Sequence, residues 1–448
     1  MKHLTLALAA TLILTGCSGD SPFPEATGKG SYRVVNAIGA SPTLDPFLTF
    51  RVEESDSRGA SIPYRGVSQT DRIDDFEYAF NFEVRDAGAS ELRRIATQRQ
   101  KIDAGMDYTF VATGSIANPT IVTWVGTERT FDTADVSELR FAHLAESLGS
   151  VDVYFAAPGT APVLGEARGN LAFGEILDAA DFAAGDYVLI VTPPDDPATV
   201  LFQSSSAAFL ASTPYIVSIF DGTPGDTASI TARALGAPGP TILLPDSRFP
   251  ARARFTNASL ALGSIDIYND EMLTNRIVEN LGYQATTEEI EIASGTGELT
   301  VTPAGNAGVV QIESDTVTIQ GSRFDYFAVG DAANLRGVYL ILDRNPVEIY
   351  AKVSVFHAVD ALDFFDIYLV AADAGIADEL PTIAAVPFSA NTPSLQLSAD
   401  SYDLIVTARD EKTPLAPPLR LDLANGDVVR TIVFATADPN VLAVQTLP

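Results

Sequence analysis

The chain is short of the residue types that most chemistry uses. Among 448 residues there is one cysteine, Cys17, and only three histidines, His3, His143 and His357. A single cysteine excludes an internal disulfide, so any domains must rest on their own cores. Positive charge is also scarce: 28 Lys and Arg stand against 58 Asp and Glu, a formal charge of −30. A surface this anionic repels nucleic acid and anionic lipid, and no nucleic-acid partner is expected. The nucleophile elbow G-x-S-x-G, the zinc motif H-E-x-x-H and the phosphate loop G-x-x-x-x-G-K-[ST] are all missing. No stretch keeps a helical period for three turns. The apolar run Leu4 to Leu14 is too short for a membrane span, which takes about 20 residues.

What remains is a folded, strand-forming sequence. Hydrophobic residues make up 46% and charged residues 19%, the balance of a globular protein. Runs such as Tyr78-Ala-Phe-Asn-Phe-Glu-Val84 and Tyr402-Asp-Leu-Ile-Val-Thr407 alternate, are rich in β-branched and aromatic residues, and are bounded by turn formers. Such runs are strands.

One frame recurs four times. It reads Arg140…His143…Asp152-Val-Tyr154, then Arg254…Asn257…Asp266-Ile-Tyr268, then Ser354…His357…Asp366-Ile-Tyr368. A degenerate copy precedes them at Arg33…Asn36…Asp45, where Pro46 follows and no Tyr comes two residues on. Nine positions separate the His or Asn from the Asp in every copy, and successive copies start 107, 114 and 100 residues apart. An aromatic landmark follows in each: Tyr64, Phe173, Tyr283 and Phe388. The expected architecture is all-β, four tandem immunoglobulin-like β-sandwich domains strung as beads on a string. They span residues 31–131, 138–237, 251–343 and 347–448. The Arg344-Asn-Pro346 linker is short enough to press the last two together.

The N-terminal segment reads as an address. Lys2, the apolar run and Leu14-Thr-Gly-Cys17-Ser18 resemble the lipobox of bacterial lipoproteins. The resemblance implies a signal peptide over residues 1–17, with Cys17 acylated on sulfur and again on its new N-terminus. Several acyl chains hold a protein to a bilayer far better than one. Ser18 in place of Asp implies the outer membrane, with the domains periplasmic or surface-exposed. Residues 18–30, rich in Gly, Pro and Ser, form a flexible tether. The R-x-x-H/N frame, the Asp-x-Tyr strand and Gly185-Asp-Tyr187 together look like the bacterial domain of unknown function 4397. Its members are exported, often lipid-anchored, and carry the domain in tandem. That resemblance implies a β-sandwich in the envelope and no particular activity.

The repeat motif admits two readings. A catalytic base or zinc ligand cannot be exchanged for an amide, whereas a hydrogen-bonding clasp can. His143, Asn36, Asn257 and His357 are therefore expected to hold a strand end to the loop that follows. Alternation puts Asp152 and Tyr154, Asp266 and Tyr268, and Asp366 and Tyr368 on the outer face of their strands. Arg33, Arg140 and Arg254 would partner these acids if the two segments are neighbouring strands, with Lys352 standing in where the fourth copy has Ser354. The other reading is a repeated Asp/Tyr surface that binds sugar or cation. Asp74-Asp75 with Glu77, Asp195-Asp196, and Glu288-Glu289 with Glu291 offer oxygen ligands to calcium, without the spacing of a calcium loop. Arg93, Arg94, Arg99 and Lys101 form the one basic cluster. The expected function is a non-enzymatic, lipid-anchored envelope module for binding, scaffolding or adhesion. Its expected partners are the membrane, through Cys17, and an envelope protein or polysaccharide; no cofactor and no metal are expected. Calcium or glycan binding through the acidic loops is the alternative, and an envelope hydrolase the remote one.

Overall fold

A computed structural model describes residues 25–448, apart from 51–56, 132–134, 225, 227, 237–238, 342, 439–440 and 448. The lipobox with Cys17 and the first part of the tether lie outside the described residues.

The same sandwich is built four times. Strands four, one, seven and eight of each repeat form one sheet, and strands three, two, five and six form the other. The first strands are Lys29–Asn36, Val136–Leu144, Ala251–Ala258 and Ala351–Ala358. The second strands are Asp45–Thr49, Val151–Ala156, Ile265–Tyr268 and Phe364–Ala371. The seventh strands, Met106–Gly114, Pro214–Asp221, Arg323–Val329 and Val428–Phe434, run parallel to the first. The second repeat splits its sixth strand in two and adds Ile242–Leu244 beyond the eighth.

The all-β, four-sandwich expectation holds, but the strand order is not the immunoglobulin one. There the first two strands are neighbours in one sheet. Here they lie in opposite sheets, so the Arg of the motif and its Asp are not cross-strand partners in any repeat. The interior between the sheets is filled by alternate residues: Val34, Phe80 and Phe110 in the first repeat, Phe141, Val153 and Val191 in the second. Phe255, Ile267 and Val301 do this in the third, and Val355, Ile367 and Val406 in the fourth.

The first strand is covered on both faces, so nearly every residue along it is buried, polar ones included. Val34 and Asn36 point into their own sandwich, while Val35 and Ala37 join Trp124 and, from the second repeat, Leu144, Ile216 and Phe220 in a separate apolar cluster. Phe327 and Val329 of the third repeat meet Phe356, Ile432 and Phe434 of the fourth in the same way, with Phe327 and Phe356 stacked 4.2 Å apart. The repeats thus pack in pairs through their four-one-seven-eight sheets. The second pair was foreseen from its short linker; the first was not.

The two pairs also touch. Asp226 of the second repeat meets Arg323 of the third at 3.1 Å. The segment just ahead of the fourth repeat's first strand docks on the first repeat: Glu348 N–H donates to Ala40 O (2.7 Å), and its carboxylate accepts the Ile116 N–H (3.2 Å). Ile349 packs against the first repeat's core. The beads are in contact along the string.

Candidate functional site

The His/Asn position sits at the inner face of the first strand's end and performs one task in four repeats. Its side chain accepts the N–H of the residue two further on: Ile38 at Asn36, Ala145 at His143, Ser259 at Asn257 and Val359 at His357, all at 3.1–3.3 Å. In three of the repeats the other end donates to the loop. Asn257 Nδ2 reaches Gly263 O (2.6 Å) and Leu281 O (3.0 Å), Asn36 Nδ2 reaches Ile62 O (3.0 Å), and His143 Nε2 reaches Gly149 O (2.9 Å). Carbonyls only accept, so His143 is the neutral Nε2–H tautomer. Burial pushes both histidines down, His357 to about 3, where its ring lies stacked on Phe365. Neither faces solvent.

The motif Asp pins a hairpin loop. Asp152, Asp266 and Asp366 accept backbone N–H groups from Asp195 (2.8 Å), Gly305 (3.0 Å) and Asp410 (2.9 Å), three loop residues with φ near +60° to +70° after the fifth strand. Asp266 and Asp366 accept a second from Asn280 and Ala385, also at positive φ. Burial raises the Asp266 pKa, but these bonds and the Arg276 guanidinium outweigh it and hold the carboxyl low. Asp45, in the degenerate copy, bonds only the Ser61 hydroxyl among these groups. Tyr154, Tyr268 and Tyr368 lie beside their acids and are buried; Lys412 Nζ sits 4.7 Å over the Tyr368 ring. The Asp/Tyr face is therefore closed by the chain's own loops.

Two of the three acidic stretches and the basic cluster have internal partners. Glu289 meets Arg323 and Arg254, Asp75 takes Thr27 N–H (2.8 Å), and Asp74 faces Lys29 (3.6 Å). Arg93, Arg94, Arg99 and Lys101 each pair with an acid: Asp86, Glu83, Glu77 and Asp103. Among the described residues no group of three or more His, Cys, Asp and Glu is placed to hold a metal ion.

The motif Arg points out of its sandwich, into the junction between paired repeats. The two junctions differ there. In the third and fourth repeats Arg254 lies beside Asp325 on the seventh strand, and Ser354 beside Arg430. The cation missing from the fourth copy's first strand has moved to the adjoining strand. Arg430 bonds Asp325, which also takes Arg344 at 3.2 Å; Arg344 in turn reaches Glu289 at 3.6 Å. Lys352 turns instead to Asp343 (2.6 Å) in the linker. The junction is filled with paired charge.

In the first and second repeats the seventh-strand neighbours of Arg33 and Arg140 are Thr109 and Ile216, both uncharged. A cleft of about 600 Å³ opens there, lined by Arg33, Arg140, Val125, Gly126, Glu128 and Asp178 among others. Arg33 donates through Nε to Thr109 (3.0 Å) and meets Asp107 at 3.4 Å, while its Nη1 is buried with no partner. Arg140 is tied by Nε to Leu177 O (3.2 Å), and its Nη1 lies 3.4 Å from where a Cβ on Gly126 would stand. Burial lowers the pKa of both guanidinium groups and raises that of Glu138 beside them.

Sequence reasoning missed the parts of this junction that come from elsewhere in the chain. Trp124 Nε1 donates to Gly174 O (3.0 Å) across it, and the Tyr64 hydroxyl donates to Asp221 O (3.4 Å). Tyr283 makes the matching bond to Ala435 O (2.6 Å) in the other pair. The aromatic landmark was the available signal for both tyrosines.

Fold and cleft together define an all-β protein of tandem sandwiches with a ligand-sized space between two of them. Residues 30–154 match the family model described as Domain of unknown function (DUF4397), which supports one copy of that domain. The match covers the strands of the first repeat and runs to the second strand of the next. No curated protein matches the chain. Among solved structures it is similar to the Bacillus anthracis TIE protein, with 9% identity over 88% of this chain and 69% of that one, at a TM-score of 0.16. It is also similar to a family CBM26 module from Eubacterium rectale Amy13K in complex with maltoheptaose, with 12% identity over 46% of this chain and 95% of that one, at a TM-score of 0.15. At such scores neither likeness carries an argument.

Proposed function

We propose that this chain is a non-catalytic binding and scaffolding module of the bacterial envelope, held at the outer membrane by lipidated Cys17. The observation that carries the reading is the junction of the first two repeats. It offers a preformed, ligand-sized cleft on a rigid double sandwich, lined by guanidinium, carboxylate and apolar groups. Clefts of this size, with a few fixed polar groups, are the usual form of small-molecule sites. Both interior histidines are buried and bonded to backbone, out of contact with solvent, which supports binding over acid–base catalysis. The tandem copies and the lipobox resemblance support the address.

Two experiments test the reading separately. Cys17→Ser should release the protein from the membrane fraction; a fully membrane-bound variant would remove the lipid anchor from the proposal. Purified protein should leave a broad panel of glycosides, esters and peptides intact. Turnover of any of them at more than background rate would make it an enzyme. Crosslinking in intact cells, with identification of what is attached, should recover an envelope protein or polysaccharide.

A further inference from the structure

We propose that the cleft between the first two repeats binds a sugar acid, a ligand with one carboxylate and neighbouring hydroxyls, with Arg140 and Arg33 taking the carboxylate and Glu128 and Asp178 the hydroxyls. This rests on the reading of the chain as a binding module.

The cleft holds donors and an acceptor that the protein leaves unanswered. Arg140 has no carboxylate at ion-pair distance among the described residues, although it lines a cavity shared with several. Arg33 is 3% exposed, and its Nη1 has no hydrogen-bond partner. A buried, unanswered guanidinium N–H is costly. Glu128 gives one oxygen to Arg72 at 2.7 Å while its other oxygen, Oε1, is buried without a partner. Planar guanidinium forks match a carboxylate with two parallel bonds. A free carboxylate oxygen suits a hydroxyl donor.

Charge selects among anions. The lining carries four guanidinium groups, Arg33, Arg72, Arg129 and Arg140, and four carboxylates, Asp107, Glu128, Glu138 and Asp178, so a compact, multiply charged ion such as sulfate or phosphate finds no surplus of positive charge to hold it. A monocarboxylate brings one charge to the arginines and turns its hydroxyls to the acids. Val125 and Phe131 supply apolar wall for the C–H face of a ring. About 600 Å³ accommodates one or two such rings. The other junction has no such vacancy at the matching positions, because Asp325 and Arg430 answer each other there.

Trp124 is the only tryptophan and the sequence neighbour of Val125 in the cleft wall, so its fluorescence is followed first. The test titrates the full chain, purified in detergent, with glucuronate, glucose and sodium sulfate, and repeats the glucuronate series by equilibrium dialysis. Glucuronate should bind saturably and at least tenfold more tightly than glucose or sulfate. Arg140→Gln should weaken it at least tenfold with the melting temperature unchanged, and Arg140→Lys should fall between. Absence of saturable glucuronate binding by dialysis, equal binding of glucose or sulfate, or an unaltered affinity in Arg140→Gln each overturns the proposal. A glucuronate failure alongside a crosslinked envelope partner leaves the binding-module reading standing; hydrolysis of a glycoside panel removes that reading instead. A trimer of galacturonate binding more tightly than the monomer would assign the source to a polysaccharide, and equal affinity to a free sugar acid; both support the site.

Discussion

The two junctions are the same device built with opposite contents. Each joins a pair of sandwiches through the outer faces of their first and seventh strands, with an apolar cluster beside a charged patch. In the second pair Asp325 stands between Arg430 and Arg344, and the patch is a closed ion network. In the first pair Thr109 and Ile216 occupy the corresponding strand positions, and the space remains open. One motif residue, the Arg of the first strand, therefore serves as part of a lock in one place and lines a cavity in the other. The difference arises on the seventh strand, outside the motif altogether.

Four measurements would break or sharpen this contrast. The largest effect belongs to Asp325→Asn, which leaves the buried Arg430 and the half-buried Arg344 without their shared acid. Removing one partner of a buried pair costs about 3–5 kcal/mol, to be read as a lower midpoint in urea unfolding. Arg140→Gln in the open junction should cost under about 1 kcal/mol, since no described ion pair is lost. If the two cost the same, the junctions are not different in kind.

Phe356→Ala comes next. It removes the ring stacked on Phe327 and opens a void in the third-to-fourth junction. A loss of about 3 kcal/mol or more is expected, with the melting temperature as readout. A near-neutral result would mean the pair holds together by charge alone.

The third concerns pH. Burial holds His357 neutral down to about 3, while in the unfolded chain it titrates near 6.5. Between those values the unfolded state binds a proton that the folded state refuses. The stabilising contribution is thus complete above pH 6.5 and falls by about 1.4 kcal/mol for each unit below it, roughly 2 kcal/mol at pH 5. His357→Asn should flatten that slope, because Asn36 and Asn257 make the same N–H contact without titrating. Urea midpoints at pH 5 and pH 7.5 decide it; an undiminished slope in the variant places the titrating group elsewhere.

The smallest effect compares the two tyrosines. Tyr283→Phe loses a 2.6 Å bond to Ala435 O and Tyr64→Phe a 3.4 Å bond to Asp221 O. Costs of about 1 and under about 0.5 kcal/mol are expected from thermal melts, again with the second pair the tighter.

Much of this was legible in the sequence because it is local. Strand alternation, the four-fold frame and the fixed nine-residue interval all follow from short-range geometry. The exchange of His for Asn pointed to a clasp, and the clasp's bonds run only two to about two dozen residues along the chain. The partnership of Arg with Asp failed because it depended on strand order, which alternation does not encode. Whether Arg33 and Arg140 face solvent or another repeat is a property of two domains at once. The hint was the doubly apolar character of the first strand, as in Val34-Val35 and Val355-Phe356, which a strand half-exposed to water would lack. The replacement of Ser354 by Arg430 could not be seen by comparing motif copies, since the compensating residue lies on a different strand.

The parallel pairing of first and seventh strands has a mechanical meaning. Pulling a repeat by its two ends drags the first strand by its leading end and peels away the eighth strand, which runs antiparallel to the seventh; the load then reaches the seventh strand at its trailing end. Six or seven registered residue pairs then slide against one another and share the load, instead of opening one at a time. A repeat joined in that way resists tension as a clamp does. Four in series, with Glu348 and Ile349 ahead of the fourth repeat's first strand fastened back onto the first repeat, would give the chain high rupture forces in a single-molecule extension trace.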